Sequence, residues 1–406
     1  MTALQFEGAR VVLPEGVEKV SVRIEAGRIT GIDAPRDGAR VVDAAGLILA
    51  PALVDIHGDA FERQLMPRPG VFFPLDTALI ETDRQLAGNG IATAFHALTL
   101  SWEPGLRSVA HGTEITERLR ALAPRLAVEN RVQLRWETFC FEAMPLVEEM
   151  LQGALTPSVA FNDHTTMGML SPDVTLQERP FDHDPDFPVV DTRSSAFRAK
   201  MESRAKRSAI PVDDYVALIE RTWERRPEVP NAIATIARAA QAATASMLSH
   251  DDTQVETRDY YRGHGARISE FPMNLRVAQA ARDAGDMIVF GAPNVLRGGS
   301  HIGSPSAAEM VSAGLCDIVA SDYYYPAMLA AVTRMEAEGR APLHRLWKLI
   351  STNPARASNL PDRGEIAVGQ RADLVLLDWP SGEAPQVRLT LSAGEIAHQA
   401  GGLGGM

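Results

Sequence analysis

The segment Leu53-Val-Asp-Ile-His-Gly-Asp59 runs from apolar residues into an imidazole and a carboxylate two positions apart. On a β-strand, positions i and i+2 share a face, so His57 and Asp59 would stand side by side. Four further apolar runs end in groups of the same kind: Leu134-Arg-Trp-Glu137, Phe161-Asn-Asp-His164, Met247-Leu-Ser-His-Asp-Asp252 and Ile318-Val-Ala-Ser-Asp322. A single histidine or aspartate at a strand end is usually structural. Three histidines (His57, His164, His250) and three carboxylates (Asp59, Glu137, Asp322), all at such ends, form a ligand set. Its nitrogen and oxygen donors suit two divalent first-row metal ions, zinc first, with manganese or iron as alternatives. Ions about 3.5–4 Å apart lower the pKa of a water between them toward about 7 and polarise the electrophile. Asp322 would bind one ion and also move the water's proton.

For these six groups to meet, the strands that carry them must lie side by side and end on one face. The middle of the chain supplies such a frame. Candidate strands cover 53–59, 91–99, 131–138, 157–164, 244–250, 267–271, 286–291 and 315–322, several of them near-continuous apolar runs. Parallel strands buried on both faces have that character. The helical period fits 105–122, 212–225, 231–243, 274–284 and 306–313, and Asp76 can cap a helix that stops at Gly88-Asn-Gly90. Eight strand–helix units over roughly 270 residues match a (β/α)8 barrel, whose catalytic groups sit at the C-terminal strand ends. Residues 1–50 instead alternate as short strands, as in Val20-Ser-Val-Arg-Ile24 and Arg28-Ile-Thr-Gly-Ile32 around the Ala26-Gly27 turn. Residues 361–406 do the same, with Ala372-Asp-Leu-Val-Leu-Leu-Asp378, Val387-Arg-Leu-Thr-Leu391 and Glu395-Ile-Ala-His398. The expected class is α/β: a TIM-like barrel over 51–360 and a small β-sandwich built from both chain ends. Residues 171–210, rich in Pro, Asp and Arg, fit no unit and read as a lid over the barrel mouth.

The 406 residues are 45% hydrophobic and 23% charged, which is ordinary for one large globular domain plus a smaller one. A net charge of -12 argues against broad nucleic-acid binding. Cys140 and Cys316 lie far apart in apolar surroundings and read as reduced core residues of a cytoplasmic protein. The first residues show no basic region followed by an apolar run, so no signal peptide is expected. No stretch reaches ~18 uninterrupted apolar residues, so no membrane span is expected.

Arginine is the side chain best shaped for phosphate oxygens, because its planar fork binds two at once. Arg297-Gly298-Gly299-Ser300-His301 joins a cation to a glycine turn whose N–H groups can face an anion. It leads to the 306–313 helix, whose N-terminus would add a favourable dipole if it points inward. Arg68 lies in the stiff Met66-Pro-Arg-Pro69, and Arg63 and Arg135 lie near strand ends. These arginines, with Gly298, Gly299, Ser300 and His301, are the expected contacts of a phosphorylated small molecule. His96 reads as a core residue, while His111, His344 and His398 fall on helices or an outer strand. Tyr323-Tyr-Tyr325 could stack on a sugar or pack the barrel rim.

The ligand set resembles the amidohydrolase superfamily, as do the split sandwich, Thr352-Asn-Pro-Ala355 and the run from Gly364-Glu-Ile to Arg371-Ala-Asp-Leu374. Within it, one branch is resembled by His57-Gly-Asp59 with Met66–Pro69, Leu134–Glu137, Asn162-Asp-His-Thr165, Ser249-His-Asp-Asp-Thr253, Glu270-Phe-Pro272, Gly291–His301 and Ala320-Ser-Asp-Tyr-Tyr324. That branch serves phosphonate metabolism in the carbon–phosphorus lyase pathway. The resemblance implies a metal-dependent hydrolase that removes pyrophosphate from α-D-ribose 1-methylphosphonate 5-triphosphate and leaves the 5-phosphate. It also implies that Glu137 bridges the two metals and that the chain forms a homo-oligomer. The chain departs from the pattern at Ala60, where an Asn is expected, and at Thr166-Met-Gly168, where Pro-Gly-Gln is expected. The superfamily carries its later histidines on strands five and six, whereas this sequence places His164 and His250 on four and five. A deaminase or cyclic-amide hydrolase with the same metals is the alternative.

Overall fold

A computed structural model of the chain describes residues 3–300 and 303–402. Its centre is a parallel barrel of eight strands paired in chain order. These are β1 (Leu53–Gly58), β2 (Ile91–Leu100), β3 (Glu129–Glu137), β4 (Ser158–Asn162), β5 (Met247–His250), β6 (Ile268–Glu270), β7 (Met287–Gly291) and β8 (Ile318–Ala320). Each overlaps a segment expected from its apolar run; His250 ends strand five, and His164 follows strand four as the first residue of the next helix. Strand β2 is buried at all ten positions, which is why it reads as an unbroken apolar stretch. Val54, Ile56, Phe95, Leu248, Ile268, Val289 and Ile318 fill the barrel interior. The outer faces of the strands pack against the surrounding helices in two larger apolar clusters.

The seam between β1 and β8 positions the site. At the mouth, the Asp322 N–H donates to the His57 carbonyl and the Asp59 N–H donates to the Asp322 carbonyl, both at 2.9 Å. At the other end, the N–H groups of Val54 and Val319 go to the carbonyls of Ile350 and Leu349 instead, again at 2.9 Å. The barrel is therefore nearly closed, and its first and last strands are tied where His57, Asp59 and Asp322 emerge. Gly58 makes this approach possible, since a Cβ there would lie 2.6 Å from Asp55 Oδ2 and 2.9 Å from Ser321 Oγ.

Helix α1 (Leu75–Gly88) begins after Pro74, not at a cap formed by Asp76. Asp76 lies inside the first turn, where its carboxylate pairs with Arg118 at 2.6 Å and faces the helix dipole favourably. No described helix is long and apolar enough to cross a membrane.

Two further sheets pack as a sandwich. One has four strands, all within residues 4–43. The other has six and interleaves the two chain ends: Leu374–Asp378 runs antiparallel beside Ile48–Pro51 and leads on to Gln386–Ser392 and Glu395–Gln399. Phe6, Val11, Val22, Ile29, Leu49, Leu376 and Leu391 form the core between them.

Residues 171–210 are built into the fold. They contain helix α4 (Ser195–Arg207), capped by the Ser194 hydroxyl accepting from the Phe197 N–H. Phe197, Met201 and Ala205 recur at every fourth position and pack on Met169, Tyr215 and Ile219. Met169 belongs to α3 (His164–Met169), while Tyr215 and Ile219 belong to α5 (Val212–Trp223). Buried Arg179 pairs with Asp182 at 2.7 Å and donates to the Asp251 carbonyl at 3.0 Å, which anchors the segment beside the strand-five loop.

Candidate metal centre

Each of the three histidines has a carboxylate on its Nδ1. His57 meets Glu270 at 2.9 Å, His164 meets Glu137 at 3.3 Å and His250 meets Asp251 at 3.0 Å. An Nδ1–H given to a carboxylate leaves Nε2 with a free lone pair and fixes the ring's orientation, which is how metal-binding histidines are commonly held. Ring centres of His57 and His250 are 5.7 Å apart, and those of His164 and His250 are 6.0 Å apart. Donor atoms gather into three overlapping sets, each within 4.8 Å: His57, His250 and Glu270; His164, His250 and Asp251; His57, Asp59 and Asp322.

Glu270 is the least obvious member. It is fully buried, and its Oε1 accepts from His57 Nδ1 and, at 2.8 Å, from Gln133 Nε2. Among the described residues its Oε2 has no hydrogen-bond partner, and it lies 3.9 Å from His250 Nε2. A buried carboxylate oxygen left in this state is costly unless a cation completes it.

Burial alone would raise the Glu270 pKa and lower that of His57. Their mutual attraction reverses both, holding Glu270 below the usual carboxylate range and His57 above the usual imidazole range. Asp322 is pushed up to about 6, by burial first and by the charge of Asp59 second, against the pull of His57, Arg135 and His250. Arg135 enters the same space, with Nη1 3.5 Å from Asp59 Oδ2 and Nη2 3.3 Å from His250 Nε2. The carboxylates of Asp59, Glu137, Asp251, Glu270 and Asp322 thus outnumber the guanidiniums around them, of which Arg135 touches Asp59 and Arg179 acts on Asp251. Divalent cations would balance this excess of negative charge, and the oxygen–nitrogen donor set fits zinc, manganese or iron.

The cluster opens into a cavity of about 250 Å³ that Arg297, Gly299, Ser300 and Tyr323 also line. Arg297 ends helix α7 (Ala292–Arg297), with Gly298 as its left-handed cap, and is exposed at the cavity edge. Gly291 leaves room for Asp322, since a Cβ there would lie 3.1 Å from Asp322 Oδ2.

The structure brings His57, Asp59, His164, His250, Asp322, Arg135, Arg297, Gly299 and Ser300 together. Glu137 is nearby but lies outside the three donor sets. Its two oxygens accept from the N–H groups of His164 and Thr165 and from the Thr165 hydroxyl. Arg68 is not part of the site. Its segment turns at Gly70, with positive φ, and carries Arg68 out to solvent beside the exposed Phe72 and Phe73. Arg63 is also outside, its guanidinium donating to the Tyr323 carbonyl. Gly298 serves the α7 cap and does not line the cavity. The expected inward N-terminus belongs to α8 (Ala307–Ser312), where Asn294 Oδ1 already takes the Ala307 N–H at 2.9 Å. His301 lies outside the described residues. Asp251 and Glu270 are the members that sequence reasoning missed, although both lie at strand ends in stretches already singled out.

A profile of the amidohydrolase family matches residues 229–398. The alpha-D-ribose 1-methylphosphonate 5-triphosphate diphosphatase of Escherichia coli (strain K12) is 30% identical over 390 residues, covering 91% of this chain and 94% of that one. The chain belongs to the amidohydrolase superfamily. Solved structures share its fold at lower identity. The L-hydantoinase of Arthrobacter aurescens is 15% identical with a TM-score of 0.63 over 99% of this chain and 97% of its own. The beta-aspartyl dipeptidase of Fervidobacterium islandicum AW-1 is 14% identical with a TM-score of 0.60 over 98% and 97%. As an amidohydrolase-superfamily member the chain is a hydrolase. Divalent metals are usual in this superfamily, consistent with the donor sets around His57 and His250.

Proposed function

We propose that the chain hydrolyses a phosphoanhydride of a phosphorylated ribose, releasing pyrophosphate. The specific substrate of this reading is α-D-ribose 1-methylphosphonate 5-triphosphate, converted with one water to the 5-phosphate and pyrophosphate. The near-full-length match to the Escherichia coli diphosphatase carries the reading. The arginines beside the donor cluster agree with it, since a triphosphate needs cations.

In this reading His57, Asp59, His164, His250, Asp322 and Glu270 hold two divalent ions, with zinc the first expectation and manganese or iron the alternatives. When bound, such ions supply Lewis-acid stabilisation of phosphoryl charge and acidify water. Glu270, Glu137 and Asp251 keep the three imidazoles in the tautomer that leaves Nε2 free. Asp322, at the mouth of the barrel beside Asp59 and His57, takes the proton of the attacking water on a carboxylate oxygen. Arg297, at the cavity edge, grips non-bridging oxygens of the phosphate chain, and Arg135, deep in the cavity, offsets charge that develops during cleavage.

The test is a release assay over ribose and nucleoside 5-triphosphates, run beside cyclic amides and nucleobases. The reading predicts pyrophosphate from a ribose 5-triphosphate. Turnover of cyclic amides or nucleobases, with no triphosphate consumed, would replace it with the deaminase or amide-hydrolase alternative.

A further inference from the structure

A second cavity, of about 180 Å³, adjoins the metal centre and shares His164 as a wall. Thr99, Ser101, Glu103, Arg107, Glu137, Arg204 and Arg207 are among its lining residues. None of the described phosphate-contact residues expected from the sequence enters it. Two of its three arginines are already paired with carboxylates. Arg107 binds Glu62 through two bonds of 2.9 Å, and Arg207 binds Glu103 at 2.8 Å. Glu103 also accepts from the Tyr215 hydroxyl, and Glu137 is saturated by His164 and Thr165. Both lining carboxylates are thus committed.

Arg204 differs. It has no carboxylate within ion-pair distance among the described residues; its Nη1 donates to the His164 carbonyl at 3.3 Å, and its guanidinium also hydrogen-bonds to Tyr215 near Glu103. It comes from helix α4 of the 171–210 segment and enters over Gly168, where a Cβ would lie 3.1 Å from its Nη1. Gly168 stands at one of the positions where the chain departs from the resembled pattern. Thr99 adds an independent observation: only 3% exposed, it is part of the cavity wall, and its buried hydroxyl has no hydrogen-bond partner among the described residues. A guanidinium with no carboxylate of its own and an unpartnered buried hydroxyl in the wall of one chamber suit an acceptor-rich, negatively charged group.

We propose that this chamber is a second anion subsite, which takes a terminal phosphoryl or phosphonyl group of the substrate, with Arg204 and Thr99 as its recognition groups. The inference rests on the reaction proposed above, whose substrate is anionic at both ends. With the scissile anhydride beside His164, one end extends toward Arg297 and the other toward Arg204. The 171–210 segment then contributes a specificity wall rather than a cover.

The experiment titrates inorganic pyrophosphate and, separately, methylphosphonate into the metal-loaded protein by calorimetry. It compares the wild type with Arg204→Gln, Thr99→Val and, as a control on the same helix as Arg204, Arg198→Gln, which removes an exposed partner of Asp213. Arg204→Gln should weaken one ligand at least about tenfold, the loss expected for a charge-assisted hydrogen bond. Thr99→Val should weaken the same ligand less, and Arg198→Gln should leave both unchanged. Loss of pyrophosphate assigns the chamber to the leaving end, and loss of methylphosphonate assigns it to the ribose end. Unchanged affinities for both ligands in folded Arg204→Gln and Thr99→Val proteins overturn the subsite. Because binding is read without turnover, an Arg204-dependent affinity in a protein that hydrolyses no triphosphate keeps the subsite and removes the reaction.

Discussion

Glu270→Gln isolates the part of the centre that only the fold reveals. The substituted side chain keeps its shape, and its carbonyl can still accept from His57 Nδ1 and Gln133 Nε2, as Glu270 Oε1 does at 2.9 and 2.8 Å. Its amide would replace Oε2, the unpartnered oxygen 3.9 Å from His250 Nε2. The variant therefore preserves the His57 tautomer while deleting one negative charge and one donor oxygen. Loss of an orienting partner alone costs about 10–100-fold in metal affinity. That corresponds to about 1.4–2.7 kcal/mol at 1.36 kcal/mol per tenfold. Loss of a direct ligand should exceed this range. The assay is chelator competition for Zn²⁺ and Mn²⁺ on purified protein, with circular dichroism as the folding control. An affinity within twofold of wild type at every site would refute the role assigned to Glu270 and the charge argument built on it.

Arg297→Ala should raise KM for a ribose 5-triphosphate by about 10–100-fold with kcat little changed, as expected when a charged hydrogen bond to bound substrate is lost equally in both states; unchanged kinetics would remove Arg297 from the substrate path. His164→Ala should abolish pyrophosphate release and lower the bound metal content, and full activity would overturn its place in the centre. Glu129 offers a pH test away from the site. Burial opposes its ionisation, but Arg363, Arg131 and Arg371 outweigh burial and hold it below the usual range. A carboxylate with a lowered folded pKa stabilises the fold above its unfolded pKa of about 4.3 and loses that contribution as pH falls through the folded value. Glu129→Gln should therefore cost about 2 kcal/mol at pH 7 and flatten the loss of stability below about pH 4 in acid-unfolding curves; parallel curves for the two proteins would contradict this.

The barrel was legible because parallel strands buried on both faces need continuous apolar runs, and β2 and β4 are built in that way. His57, Asp59, His164, His250 and Asp322 were legible because each ends or follows such a run. Glu270 ends a strand of three residues, too short for periodicity to mark it. Arg68 failed because its distance from the metal motif along the chain says nothing about the turn at Gly70, which sends it outward. The 171–210 segment read as a lid that fits no strand–helix unit because its proline- and aspartate-rich first half masks the fourfold spacing of Phe197, Met201 and Ala205 in its second half. The second cavity had no sequence signal, since Thr99, Glu137 and Arg204 come from three separate segments.

Product analysis of a ribose 5-triphosphate treated with chelated and with metal-reconstituted protein tests the central claim most directly. The account predicts pyrophosphate and the 5-phosphate in equal amounts, no orthophosphate, no turnover after chelation, and recovery with Zn²⁺ or Mn²⁺. Orthophosphate as the first product, or pyrophosphate release that persists in metal-stripped protein, would contradict it.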